Sequence, residues 1–330
     1  MDILVDNHYC FALGLTLWHK IDFFDQARYE DSPGILLQLN LDFVFQQRYN
    51  EARGRIMFFT KIKMLLGSFL GIAVVFFSSP AWSANIIVGG TGNALGTMRL
   101  LAAAYQDQHP ETSVIVLPSI GSSGAIRAIS HGKIDVGLSS RPFKKGEALL
   151  GETAVEYARS PTVIAVSNSM EHDNITIDEL VDIYTGKLVK WPSGELIRPI
   201  IRQADDDNSR QLKLLSPALK KAVEFADQRR GLLFAATDQE TVDKIEKTPG
   251  SFGVTCLALI LSEKRSIHAL KLDGVSPTAA NCISGSYPIV KRFYFLLPKD
   301  VPVHVAKFLK FVNSSAGEAI LEKNGNYIPQ

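Results

Sequence analysis

A chain of 330 residues, 46% apolar and with a formal net charge of +1, can bury one large core or two medium ones. That near-neutral balance argues against a nucleic-acid partner, whose binders carry a marked basic excess. Three cysteines (Cys10, Cys256 and Cys282) without a Cys-x-x-Cys pair, and seven scattered histidines, argue against a metal site, and no cofactor is expected.

In chain order, residues 1–56 mix aromatic and charged side chains without clear periodicity. A stretch ordered like a secretory signal follows: Lys61 and Lys63, an apolar run over 64–77, then Ala81 and Ser83 as the small residues of a cleavage site. The run is shorter than the roughly 20 apolar residues that a spanning helix needs. The expected organisation is an atypical leader over 1–56, a signal peptide over 57–83 and a mature periplasmic chain from residue 84. Secretory signals normally begin at the first methionine. The leader therefore reads as a misassigned start, with translation from Met57 or Met64, or as a cytoplasmic extension that makes the apolar run a signal-anchor. Export would leave Cys256 and Cys282 in an oxidising compartment, where a disulfide is permitted but not specified.

From residue 84 short apolar strands alternate with longer helical patterns. Strands are expected over 85–90, 113–118 and 135–139, with helices over 95–109 and 122–131 between them. This order predicts a parallel sheet covered by helices on both faces. Ligands of such sheets lie beyond the carboxyl ends of the strands. Thr91-Gly92-Asn93, Ser122-Ser123 and Ser139-Ser140-Arg141 all fall there. A strand over 161–168 leads to a helix over 175–187, with Thr176 as its N-cap and Gly186 as its stop. A further strand over 199–204 precedes a helical stretch after the acidic run Asp205-Asp206-Asp207. A long strand over 286–297 returns to the first sheet, and helices over 303–312 and 316–323 end the chain.

Gly121-Ser122-Ser123-Gly124 opens a helix, whose unpaired N–H groups and dipole favour an oxyanion. Arg141, beside Ser139 and Ser140 at a strand's end, offers a fork matched to such an anion. Two enzyme-like readings fail on their residues. The glycines between Gly90 and Gly96 suggest a dinucleotide fingerprint, but the second strand ends in Pro118-Ser119 without the carboxylate that holds a ribose. Gly121-Ser122-Ser123-Gly124-Ala125 is not Gly-x-Ser-x-Gly, and His131 lies further along the same helix, so no catalytic triad is expected. Trp191 and Tyr184 read as packing residues.

From about Ile86 onward the chain resembles the periplasmic phosphate-binding receptors of ABC phosphate-uptake systems, two-lobed binding proteins of type II topology. Ile120-Gly-Ser-Ser-Gly124, Ile134-Asp-Val-Gly-Leu-Ser-Ser140, Leu180-Val-Asp-Ile-Tyr-Thr-Gly-Lys-Leu-Val-Lys-Trp191, Thr248-Pro-Gly-Ser-Phe-Gly253 and Tyr287-Pro288 carry the likeness. It implies an α/β fold of two lobes, each a mostly parallel sheet flanked by helices, joined by two crossing strands. Lobe 1 would span 84–160 and 290–330, and lobe 2 would span 161–289. It also implies a non-enzymatic, monomeric receptor that clamps inorganic phosphate between its lobes and delivers it to a membrane ABC permease. The open alternatives are another oxyanion such as sulfate or molybdate, and a sensor or adhesion protein without transport.

Position by position, the resemblance puts Thr91, Gly92, Asn93 and Ala94 in the first anion loop, with Ala94-Leu95 where the family has a Thr-Phe contact pair. It puts Ser122 on the phosphate-binding serine, with Ser123 and Gly124 beside it. The family's Arg-x-Asp-x-Ser-Gly-Thr segment falls on residues 203–209. Gln203 then replaces the arginine, and Asp207, Asn208 and Ser209 fall on its last three positions. Ser140 replaces the aspartate that accepts the ligand's proton. A buried carboxylate there rejects an unprotonated anion, since an unpaired buried charge costs on the order of 3–5 kcal/mol. The expected rearrangement has Asp207 as the acceptor and Arg141 or Arg202 restoring the positive charge.

Overall fold

In a computed structural model the described residues are 84–329. The leader, the signal peptide with its cleavage site and Cys10 lie outside the described residues. The described chain begins with β1 (Ala84–Gly90), α1 (Gly92–Gln108), β2 (Thr112–Val116), α2 (Gly121–Ser130) and β3 (Val136–Ser139). Strand β1 pairs in parallel with both β2 and β3, as the alternating pattern predicts. Helix α1 is buried on every side from Gly92 to Met98 and keeps a one-sided stripe of Leu101, Ala102 and Tyr105 beyond that.

The chain continues through β4 (Thr153–Ser167), β5 (Asn174–Ile175), α3 (Ile177–Thr185), β6 (Arg198–Ile201), α4 (Asp207–Leu214), α5 (Pro217–Asp227), β7 (Leu233–Phe234) and α6 (Asp238–Lys247). Next come β8 (Ser251–Cys256), α7 (Leu257–Ser262), β9 (Ile267–Ala269), β10 (Lys271–Leu272) and α8 (Ala279–Ile283). Strand β11 (Val290–Leu297) and helices α9 (Val303–Val312) and α10 (Ser315–Lys323) complete it. Thr176 caps α3 through the Glu179 N–H, and Glu179 answers at the Thr176 N–H, so both orphan donors are satisfied locally.

Strands β5 and β10 pair in a separate two-stranded sheet, and the other nine strands form one mixed sheet in the order β2-β1-β3-β11-β4-β8-β6-β7, with β9 also on β4. Two lobes share it because β4, at 15 residues, is longer than expected. Its first part pairs antiparallel with β11 over Thr153 to Pro161, and its second part with β8 from Thr162 to Val166. In the second half β6 is parallel to β7 and β8. The largest core cluster joins Ile86, Val88 and Leu138 to Ile200, Val242, Ile245 and Ile267. Residues expected in different lobes therefore share one core. Cys256 and Cys282 are both free and buried, in separate clusters. The permitted disulfide is absent, and burial pushes their thiols up to about 12 and about 11.

Candidate functional site

Between the two halves of the sheet lies a cleft of about 640 Å³ whose lining is mostly polar. It brings together Thr91, Asn93, Ser122, Ser123, Gly124 and Ser140 from the first half with Asp207 from the second. The Ser140 N–H donates to Ser122 Oγ at 2.9 Å, and Ser140 Oγ donates to Thr91 Oγ1 at 3.3 Å. Three strand-end turns are thereby tied into one wall. Neither α1 nor α2 has a side-chain cap, and neither has an acidic residue in its first turn. At α2 this keeps N–H donors for an anion, whereas in α1 the Asn93 N–H is taken by the Asp238 carboxylate at 3.1 Å.

Other expected residues are placed differently. Gly92 and Ala94 are buried behind the wall, Ala94 in the main core. Ser139 is fully buried, its Oγ donating to the Arg141 carbonyl at 2.6 Å, so it shapes the turn and leaves the cleft to Ser140. Arg141 lines the cleft, but its guanidinium forks onto Glu147 at 2.6 and 3.0 Å. That fork holds the Glu147 carboxyl down to about 2. Asn208 and Ser209 belong to the first turn of α4 rather than to an open loop, and they line a crevice of about 10 Å³.

The Asp207 carboxylate is already engaged. Its Oδ2 accepts from Lys291 Nζ at 2.5 Å and from Gln211 at 2.9 Å, and its Oδ1 from Arg210 at 2.9 Å. Burial works against its charged form, but Lys291 and Arg210 outweigh it and hold the carboxyl below the usual range. One lone-pair site on Oδ1 remains, but the two cations hold Asp207 ionised, which makes it a poor proton acceptor.

Two groups in the wall carry the electrostatics instead. Arg202, 8% exposed, donates to Asp206 at 2.8 Å and lies 3.3 Å from Asp238. Its Nε is buried with no partner among the described residues. Arg202 thus stands beside Gln203 as a buried cation of the wall, and the N-cap of α4 is Asp206, whose carboxylate accepts the Asn208 N–H. Lys291, 0% exposed on β11, bonds Asp207 and, at 2.5 Å, Asn208 Oδ1. Burial opposes its charge, yet Asp207, Asp238 and Asp206 outweigh that and raise it above the ordinary lysine value.

The sequence reading missed Lys291 and Asp238. For Lys291 a signal existed: it alternates with Phe293 and Phe295, which puts all three on one face of the strand. Asp238 follows the N-cap Thr237 like any first-turn acid, and nothing local marks it as buried. Tyr184 and Trp191 are core residues, as expected, with the Trp191 indole N–H on the Gly250 carbonyl at 2.9 Å.

Known proteins match this architecture. The chain is 22% identical over 255 residues to the phosphate-binding protein PstS of Bacillus subtilis, covering 75% of this chain and 81% of that one. A Clostridium perfringens protein described as a phosphate ABC transporter substrate-binding protein, solved with bound phosphate, superposes with a TM-score of 0.62. It is 20% identical and covers 74% of this chain and all of its own. An ABC-type phosphate transport receptor of Vibrio cholerae gives a TM-score of 0.52 at 20% identity, with the same coverage. These likenesses show the type II periplasmic-binding-protein fold. Residues 78–316 match the model of the PBP superfamily domain, and the chain belongs to that family.

Proposed function

We propose that this protein is the extracytoplasmic receptor of an ABC-type uptake system, and that it captures a tetrahedral oxyanion, phosphate before others, in the cleft between its lobes. The observation that carries this reading is Arg202, a buried guanidinium with an unpartnered Nε in the wall of a cleft onto which the uncapped start of α2 opens. A guanidinium and oriented N–H groups together match a tetrahedral anion. The phosphate-binding relatives, and a phosphate-bound structure with the same fold, support phosphate as the ligand. We take the lobes as 84–160 with 290–330, and 161–289, and the receptor as a periplasmic monomer that presents its ligand to a membrane permease. Ligand capture closes the lobes about β4 and β11, the strands shared between them.

Calorimetric titration with phosphate, arsenate, sulfate and molybdate tests the reading. Phosphate and arsenate should release heat at one site per chain, and Arg202→Met should weaken both at least tenfold, the loss of one charge-assisted hydrogen bond. If none of the four anions gives heat, the chain is not an oxyanion receptor.

A further inference from the structure

The N-terminus of α1 already holds an anion that belongs to the chain itself. Asp238, the first residue of α6, is 5% exposed, and its Oδ2 accepts the Asn93 N–H at 3.1 Å. Its Oδ1 accepts from Asn208 Nδ2 at 3.1 Å and faces Arg202 at 3.3 Å. Gly92 makes the approach possible, since a Cβ there would stand 2.9 Å from Asp238 Oδ2. The resemblance would seat a ligand oxygen at this same loop. Instead a carboxylate reaches over from another helix and supplies the negative charge that a helix start favours.

The charges next to Asp238 leave no surplus for a second anion at this end of the cleft. Arg202 at the end of β6 and Lys291 on β11 are the cations acting on Asp238. Asp206 repels it from the start of α4. Asp207, beside Lys291, and Glu240, on Asp238's own helix and acting on Arg202, are the other acids of the group. On β8, Asp238 helps push up the Cys256 thiol, which stays neutral, and the first turn of α1 brings no acid. The ion pairs around Asp238 set Arg202, Lys291 and Arg210 against Asp206, Asp207 and Asp238, so this inner part of the wall is neutral when fully ionised, while Arg127, Lys144 and Asp205 stand exposed at the rim and Arg141 is paired with Glu147. An oxyanion entering a neutral, buried wall would be an uncompensated charge. One proton on Asp238 leaves the wall with a positive charge in excess.

We propose that Asp238 is a proton-coupled counter-ion of the cleft: when an oxyanion binds, an Asp238 oxygen takes one proton from solvent, and the carboxylate becomes a neutral O–H donor. No other bond forms or breaks in that step. The inference rests on reading the cleft as an oxyanion site. Burial already pushes the Asp238 carboxyl up, with Asp206 adding to the rise and Arg202 and Lys291 opposing it. A bound anion raises it further. Between the free and bound values, affinity rises as pH falls, up to about tenfold per pH unit for one proton.

The test is titration calorimetry of the full chain with sulfate and with phosphate, in two buffers of different ionisation heat, over a range of pH. Sulfate has no proton to give near neutrality, so a buffer-dependent heat on sulfate binding reports uptake by the protein. The expected result is uptake approaching one proton per site in the wild type. In Asp238→Asn it should vanish, with sulfate affinity flat in pH and at least tenfold tighter at pH 8. Phosphate, which titrates itself, should take up less proton in the variant than in the wild type. The wild-type buffer comparison decides the matter even if the variant does not fold. An oxyanion bound by the wild type with no buffer-dependent heat overturns the proposal. Absence of heat from every oxyanion overturns the oxyanion reading, and this inference with it.

Discussion

Lys291 is a cation with no access to water, wedged against Asp207 and Asn208 in the strand that joins the two lobes. Its charge is tolerable only because the neighbouring carboxylates match it. Lys291→Met would keep the length of the side chain and strand Asp207 with Arg210, which is half-exposed, as its remaining cation. The expected loss is about 3–5 kcal/mol at neutral pH, read by urea unfolding. The pair's contribution has a defined pH window. Lys291 is raised, so its share holds below roughly pH 10 and fades as pH climbs through its folded value. Asp207 is lowered, so its share holds above roughly pH 4 and fades as pH falls through its folded value. In the variant Asp207 loses the partner that held it down and can take a proton. The deficit should therefore shrink from pH 7 to pH 5, and an equal deficit at both would assign the loss to packing alone. Much of the site was legible residue by residue where chemistry is local. Ser122 and Ser140 follow from strand ends and helix starts; Arg141 and Asp207 also reach the cleft, but that they are tied to Glu147 and Lys291 depends on residues outside their own motifs.

Among the elements, those whose stop and start signals are local came out as expected, α3 with its Thr176–Glu179 box and Gly186 stop being the clearest. The first half of β4 did not. Glu156 and Arg159 break its apolar pattern, and they are satisfied by each other at 2.5 Å rather than by the sheet. Pro161, an expected strand start, instead stands where β4 changes partner from β11 to β8, a place that tolerates a missing N–H. The packing of α1 on α6 and α7 was equally hidden, because it depends on small residues meeting distant ones. On α1, Gly92 and Gly96 lie one turn apart. A Cβ on Gly96 would stand 2.3 Å from Ser262 Oγ and 2.7 Å from Glu263 Cγ. Ser262 Oγ is tied to the Ala258 carbonyl at 2.6 Å and cannot simply swing away. Gly96→Ala gains up to about 1 kcal/mol of helix propensity but overpacks a contact at about 1–3 kcal/mol. A net loss near 1 kcal/mol is expected in urea unfolding, and a stabilised variant would mean that α7 yields freely.

At the scale of the whole molecule, a sheet shared through β4 and a core cluster drawn from both lobes make independent unfolding of the lobes unfavourable. Exposing either lobe alone would open the cluster that joins Ile86 and Val88 to Val242 and Ile267. The sequence could suggest two lobes because each repeats the strand-turn-helix order. It could not suggest their fusion, which arises from contacts between α1 and elements more than 140 residues away, such as Asn93 with Asp238. The ligand should act on that fused unit as a whole. At a hundredfold excess over its dissociation constant, phosphate adds about 2.7 kcal/mol, which for a domain of this size raises Tm by roughly 5–10 °C. Scanning calorimetry from residue 84 onward should show one endotherm, with matching calorimetric and van't Hoff enthalpies, displaced intact by the ligand. Arg202→Met should lose most of that displacement while keeping a single transition. If phosphate split the trace into a shifted and an unshifted peak, the lobes would be melting separately, and the shared core would not be what couples them.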